Sequence, residues 1–356
     1  MVLRSILFVE LLGGIGDLVI ALPAIQALKR SHPHAAVTVF TFSPGAELLR
    51  RDPHAQRVIA IQRDVQSARD DLAAFLAEEN FDLIVSDTRY EGIATLLEES
   101  APCVISDLWR RPPDDELVGE RFLHILRDEG AISVKVNPPP RIYLDEGEIF
   151  DAREVLGDLG VGAAPVFLCP SSGMRIKRWP EERFAAVGLA LRERGAELVV
   201  ICGDEPNVAK RIAQQAGAVI WPRGSLRVLA AALSSASLFV GVDTGLARLA
   251  AALEVPVITL FGPSWAGRYG HPSPHVNLQG YPACELREIG NFTIQPCWYQ
   301  GCCPLPRWET CLEHVSVETV VEAAVSVLGL AAPLTTEAGP QHESRTLSFV
   351  HQPPLE

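Results

Sequence analysis

The sequence predicts an α/β protein with doubly wound parallel sheets arranged in two domains. Three observations carry that reading. Apolar β-rich runs alternate with helix-period segments along most of the chain, the pattern of parallel sheets wrapped by helices. The run 5–12 feeds a glycine-rich turn, Gly13-Gly14-Ile15-Gly16-Asp17, and then a helix. The stretch LFVGVDTGLARLAAALEVPVITLFGPS, residues 238–264, holds a complete strand–turn–helix–turn–strand unit. At 356 residues the chain also exceeds one ordinary core, so two domains are expected.

Composition narrows the function classes. Apolar content of 48% and charged content of 21% are those of a folded globular chain, which excludes wholesale disorder. A formal charge of −13 argues against nonspecific nucleic-acid binding and against a broad polybasic membrane face. The apolar run near the N-terminus is broken by Glu10 and lacks a cleavage region. No uncharged stretch approaches the ~20 residues a membrane helix needs, so the cytoplasm is the expected compartment. Eight cysteines in such a chain read as buried thiols or metal ligands rather than disulfides.

In chain order, residues 5–12 read as a buried strand, and Leu18, Ile20, Leu22, Ile25 and Leu28 as one face of the helix that follows. Pro23 implies a late start or a kink in that helix. The Gly-Gly-x-Gly-Asp turn is not a dinucleotide fingerprint, which needs G-x-G-x-x-G. Its glycines, Gly13, Gly14 and Gly16, would clear space beside a strand end. Asp17 would then lie on a cleft floor or cap the helix, two readings of equal weight. Strands are expected at 37–42, 58–61, 81–86 and 103–105, and Asp87 falls at a carboxyl end, where open α/β sheets place functional groups. Arg110 and Arg111 open a loop that reaches toward acceptor phosphates or is simply solvated. Helices are expected at 70–79, 120–128 and 146–159, and the proline run 137–140 begins the connection between domains.

The second half repeats the pattern. A strand at 166–169 leads to Pro170-Ser171-Ser172-Gly173 and then Lys177. Small hydroxyl and glycine residues after a strand cradle phosphate, and a lysine adds the point charge that a diphosphate leaving group requires. Glu205, after the strand 197–202, would bind ribose hydroxyls or cap a helix. Strands at 218–220, 238–242 and 257–261 and helices at 181–194, 226–233 and 246–253 follow. Asp243-Thr244-Gly245-Leu246 then aims unpaired amides and a helix dipole at one point, a natural anion site or an ordinary capped helix.

Cys284, Cys297, Cys302, Cys303 and Cys311 fall in one loop-like segment rich in Pro, Trp and Gly. Thiolates gathered there suit a structural Zn²⁺ or Fe site. No clean C-x-x-C pair is present, so unligated thiols or a conditional disulfide stand beside that reading. An amphipathic helix at 316–330 ends the ordered chain, and 331–356 reads as a disordered tail.

Three blocks in order, ILFVELLGGIGDLVIALPAIQAL, SSGMRIKRWPEERF and FVGVDTGLARLAAALEVPVITLFGPS, resemble the family 9 glycosyltransferases, the ADP-heptose:lipopolysaccharide heptosyltransferases. The last block is closest to heptosyltransferase I. The resemblance implies the GT-B architecture, two Rossmann-like domains facing across a cleft. An acceptor domain would span 1–160 and a nucleotide-sugar domain 161–330, the latter carrying the cysteine-rich loop 284–311. It further implies an inverting enzyme that moves heptose from ADP-heptose to a hydroxyl of a lipid-linked saccharide acceptor. No cofactor would take part in the chemistry, no nucleic acid would be bound, and contact with the inner membrane would be peripheral. Asp17 matches the family's catalytic base, and Ser172, Gly173 and Lys177 its diphosphate loop. Asp243, Thr244, Gly245 and Leu246 match its sugar- and phosphate-gripping loop, and Glu205, more loosely, its ribose acid. Gly13, Gly14, Gly16, Arg110 and Arg111 would face the acceptor. The family commonly has His where this chain has Arg248, so that phosphate contact is made by guanidinium or lost. Some related protein heptosyltransferases carry an iron-binding cysteine finger in the cysteine-rich region. A protein O-heptosyltransferase and a catalytically silent nucleotide-sugar binder are the rival readings.

Overall fold

A computed structural model describes residues 3–110, 115–290 and 293–330. Its first lobe holds a parallel sheet of β1 (Ser5–Glu10), β2 (Ala36–Phe42), β3 (Arg57–Ile61), β4 (Leu83–Ser86) and β5 (Val104–Ile105), in the order β3-β2-β1-β4-β5. The second holds β6 (Val166–Cys169), β7 (Leu198–Ile201), β8 (Val219–Trp221), β9 (Leu238–Val242), β10 (Val257–Phe261) and β11 (Val276–Gln279). These are again parallel, ordered β11-β10-β9-β6-β7-β8.

Each order reverses once, between β1 and β4 and between β6 and β9. Helices leave the sheet in opposite directions at such a point and open a crevice at the strands' carboxyl ends. All three turns the sequence singles out, after β1, β6 and β9, spring from these strands. The topology therefore decides where chemistry can sit.

The central strands form where apolar runs are unbroken, since both faces of a parallel sheet are covered. β6, β9 and β10 are buried throughout. β11, with sequence VNLQ, was not expected; it lies at the sheet's edge and only half buried. The first helix runs as one element, Ile15–Ser31, with Pro23 inside it. Loss of a backbone hydrogen bond there costs about 3 kcal/mol. Burial of Leu18, Val19, Leu22, Ile25 and Leu28 on the same helix outweighs it. The last helix, Val317–Leu328, stops at Gly329 with φ of 62°, and the expected tail 331–356 lies outside the described residues. Among those residues no helix is long and apolar enough to cross a membrane.

One hydrophobic core runs through both lobes, from Phe8, Leu22 and Ile25 to Phe167, Leu249 and Ala250. Helix Ile15–Ser31 packs on helix Gly245–Ala252, and Glu146–Asp158 on Leu226–Leu233. At the second contact lies a buried ion pair. Arg227, 1% exposed, donates through Nε to Glu148 Oε1 at 2.7 Å and through Nη2 to Glu148 Oε2 at 2.5 Å. It also donates to the carbonyls of Tyr143 and Leu48, at 2.6 and 3.3 Å. Glu148 simultaneously accepts the Asp145 N–H at 3.0 Å, closing the N-terminus of its helix.

Removing one partner strands the other charge in a dry place, so Arg227→Met should lower unfolding stability by about 3 kcal/mol. Urea titration checks this, and an unchanged midpoint would show that the clamp carries no weight.

Candidate active site

A cavity of about 1100 Å³ opens where the two switch points face each other. The lobes meet at its floor through glycine. A Cβ on Gly245 would sit 2.8 Å from the Gly16 nitrogen, and one on Gly16 3.2 Å from the Gly245 Cα and the Arg248 Cδ. Two helix N-termini abut here because neither carries a side chain. Gly14 is constrained from within the turn, since its Cβ would lie 2.5 Å from Asp17 Oδ2.

Asp17 both caps its helix and faces the cleft. Its Oδ2 accepts the Gly14 N–H at 3.0 Å, and the residue lines the cavity with Lys177, Asp243 and Arg248. Burial raises its pKa; Arg248, the Gly14 N–H and Lys177 pull the other way without cancelling it, and Asp243 adds to the rise. The result is a carboxylate more basic than an ordinary aspartate.

Two further acids lie behind the turn. Glu10 accepts from Thr41 Oγ1 at 2.6 Å and from the N–H groups of Leu12 and Gly13 at 3.0 and 3.4 Å. It therefore holds the start of the glycine turn. Burial pushes Glu10 up to about 7, with a contribution from the Asp17 charge. Asp87 is buried and does not line the cleft. Its Oδ1 accepts from Thr88, its Oδ2 has no partner, and burial and then Glu10 raise its pKa well above the usual range.

Across the cavity, Asp243 is the node of a charged knot. Its Oδ2 accepts from Lys177 Nζ at 2.8 Å and Ser264 Oγ at 2.5 Å, and its Oδ1 from Arg248 Nη2 at 2.9 Å. Burial opposes the charge, yet Lys177 and Arg248 prevail and hold the carboxyl well below the normal range. Arg248 also donates to the Tyr269 carbonyl at 2.7 Å. Thr244 caps its helix by accepting the Ala247 N–H at 3.4 Å, while Gly245 and Leu246, the first residues of the helix, line the cavity. On the neighbouring loop Ser172 Oγ accepts the Met174 N–H at 3.2 Å, and Arg178 Nε donates to the Ser172 carbonyl at 3.0 Å. A Cβ at Gly173 would meet nothing within 4 Å, so that glycine faces open space.

Several residues singled out from the sequence lie elsewhere. Glu205 pairs with Arg178 at 2.5 Å, and its neighbour Asp204 lines the cleft instead. Arg110 pairs with Glu129 at 2.8 Å and is not at the cleft, which Trp109 lines in its place. Arg111 lies outside the described residues. Gly13 stands back from the cleft with φ of +96°, packed against Arg63. Cys284, Cys297, Cys303 and Cys311 surround a small separate cavity, whereas Cys302 is exposed and does not line it. Burial pushes Cys297 up to about 11 and Cys311 up to about 12, which keeps both as thiols. Among the described residues no group of three or more His, Cys, Asp or Glu side chains is placed to hold a metal ion. Ser264, Tyr269, Trp221, Thr293 and Trp298 line the cleft without having been singled out.

A profile described as "Glycosyltransferase family 9 (heptosyltransferase)" matches residues 111–285. Lipopolysaccharide heptosyltransferase 3 of Escherichia coli is 28% identical over 284 residues, covering 69% of this chain and 80% of its own. The chain belongs to glycosyltransferase family 9. It is a glycosyltransferase, with the GT-B fold that the resemblance implied. A family 9 structure from Veillonella parvula superposes with a TM-score of 0.78 at 20% identity, covering 91% of this chain and 97% of that one. E. coli heptosyltransferase WaaC with ADP-2-deoxy-2-fluoro heptose gives 0.62 at 20% identity, covering 91% and 99%. In this glycosyltransferase the acids behind the turn make a pH test. The folded protein keeps the Glu10 proton up to about pH 7, while the unfolded chain releases it near 4.5. Between these values the folded state binds more protons, so stability falls as pH rises through the window. Glu10→Gln, neutral throughout, should lose that part of the fall; equal pH slopes in urea titrations of both proteins would contradict the assignment.

Proposed function

We propose that this glycosyltransferase moves a heptose from ADP-heptose to a hydroxyl of a lipopolysaccharide core or related glycan, with inversion at the anomeric carbon. The observation that carries the reading is one shared cavity. Asp17 enters it from the first lobe; Lys177, Arg248 and the start of helix Gly245–Ala252 enter from the second. The solved structure of the fold neighbour WaaC is one with ADP-2-deoxy-2-fluoro heptose, and the E. coli relative is named as a lipopolysaccharide heptosyltransferase. Both support the substrate class.

The chemistry follows from charge. An acceptor hydroxyl attacks the anomeric carbon as Asp17 takes its proton, and the bond to the ADP oxygen breaks on the opposite face. Negative charge then grows on the diphosphate. Lys177, Arg248 and the first amides of helix Gly245–Ala252 supply fixed positive potential there. Arg248 in place of histidine keeps a cation at that position, made rigid by Asp243 and the Tyr269 carbonyl. Ile201, Asp204 and Trp221, at the ends of β7 and β8, face the same cavity and would take the nucleoside. In this reading residues 1–160 serve the acceptor and 161–330 the donor. The lipid-linked acceptor would be met at the cytoplasmic face of the inner membrane.

Asp17→Asn should cut transfer about 10³-fold while leaving the affinity for ADP-heptose nearly intact. Because burial raises the Asp17 pKa, wild-type kcat should fall as pH drops through that raised value. Loss of donor binding with unimpaired turnover would overturn the role.

A further inference from the structure

The cysteine-rich segment does more than pack its thiols. Thr293, Trp298 and Tyr299, all from this segment, line the catalytic cleft. Thr293 is 3% exposed, and its hydroxyl has no hydrogen-bond partner. Its backbone N–H donates to Tyr269 Oη at 3.4 Å. The Trp298 indole Nε1 is likewise buried and unpartnered, while its ring lies 4.7 Å from Lys177 Nζ. Tyr299 is 83% exposed, a large aromatic face that no described residue covers. An orphaned buried polar group is a cost that a hydroxyl-bearing ligand reaching it would offset.

Sheet order fixes which end of the cleft these residues occupy. Trp221 ends β8 and Asp204 follows β7, at one side of the second sheet. Trp298 stacks on Lys177, which follows β6, and Thr293 is tied to Tyr269, which follows β10. The segment therefore covers the side away from β7 and β8. Its chemistry is uncharged: one donor-only indole N–H, one hydroxyl that donates and accepts, and exposed aromatic carbon. A pyranose ring presents the complement, hydroxyls along its edge and C–H groups on its faces. Cys297, one residue before Trp298, faces the buried thiol cavity, so thiol packing anchors the turn that presents the aromatic pair.

We propose that Thr293, Trp298 and Tyr299 form a pyranose-binding wall beside the diphosphate site, holding either the donor's glycosyl group or the acceptor's saccharide. The proposal rests on the glycosyl-transfer reading above. Calorimetry of the full chain tests it, comparing ADP, UDP and GDP with ADP-heptose, UDP-glucose and GDP-mannose. The donor is the sugar nucleotide bound more tightly than its bare nucleotide. If that is not ADP-heptose, the heptose reading falls while the wall is still decided by its variants. Absence of any sugar increment would overturn the heptose reading and the donor form of the wall, leaving its acceptor form to be decided by KM. Thr293→Val should leave affinity for the bare nucleotide unchanged; Trp298→Leu also takes a ring away from Lys177, so its sugar increment is read against its own affinity for the bare nucleotide. If the wall holds the donor sugar, they should erase about fivefold to tenfold of the sugar increment. If it holds the acceptor, the increment stays and KM for a deacylated lipopolysaccharide core oligosaccharide rises by a similar factor. Unaltered increment and unaltered KM in both variants would overturn the proposal. Thr293→Val, which conserves volume, decides the matter alone should Trp298→Leu fail to fold.

Discussion

The site depends on the knot around Asp243. A buried carboxylate is costly, and this one is charged only because Lys177, Arg248 and Ser264 converge on it. In return it holds two cations in fixed directions at the mouth of a helix N-terminus. A free lysine and arginine would sample many rotamers and would have to be ordered by the substrate. Here that entropy is lost on folding, so the positive field stands ready before any diphosphate arrives.

The opposing lobe uses the same currency with inverted sign. Asp17, Glu10 and Asp87 are three acids in one neighbourhood, and desolvation raises the pKa of each. Glu10 grips the turn from below, leaving Asp17 as the acid that reaches the cavity. Asp17 and the cations approach closely because Gly16 and Gly245 let the helix starts touch. Were either residue alanine, the lobes would have to separate by a few tenths of an ångström or more, and Asp17 would move away from the cations.

Much of this was legible in the sequence where function is local. β6, β9 and β10 follow unbroken apolar runs and stand at the expected residues. Asp243 directly follows β9, while Asp17 and Lys177 lie within about eight residues of the carboxyl ends of β1 and β6, so the side of the sheet each occupies follows from its strand. Legibility failed where position depends on packing between distant segments. Trp109, Tyr269 and Trp298 line the cleft from segments distant in sequence from the turns after β1, β6 and β9, which no local pattern encodes. Glu205 missed by one residue: it is drawn to Arg178 while Asp204 faces the cleft. The cysteines do gather, as their spacing suggested, but four of them surround a cavity of about 20 Å³ lined also by Leu286, Leu305 and prolines.

One cavity joins a basic carboxylate on the first lobe to a preset cationic cradle on the second. A crystal structure of the Asp17→Asn protein with ADP-heptose tests it most directly. The β-phosphate should lie within hydrogen-bonding reach of Lys177 and the Gly245 and Leu246 amides, with the anomeric carbon turned toward residue 17. A diphosphate bound away from Lys177, or an anomeric carbon facing away from residue 17, would contradict the account.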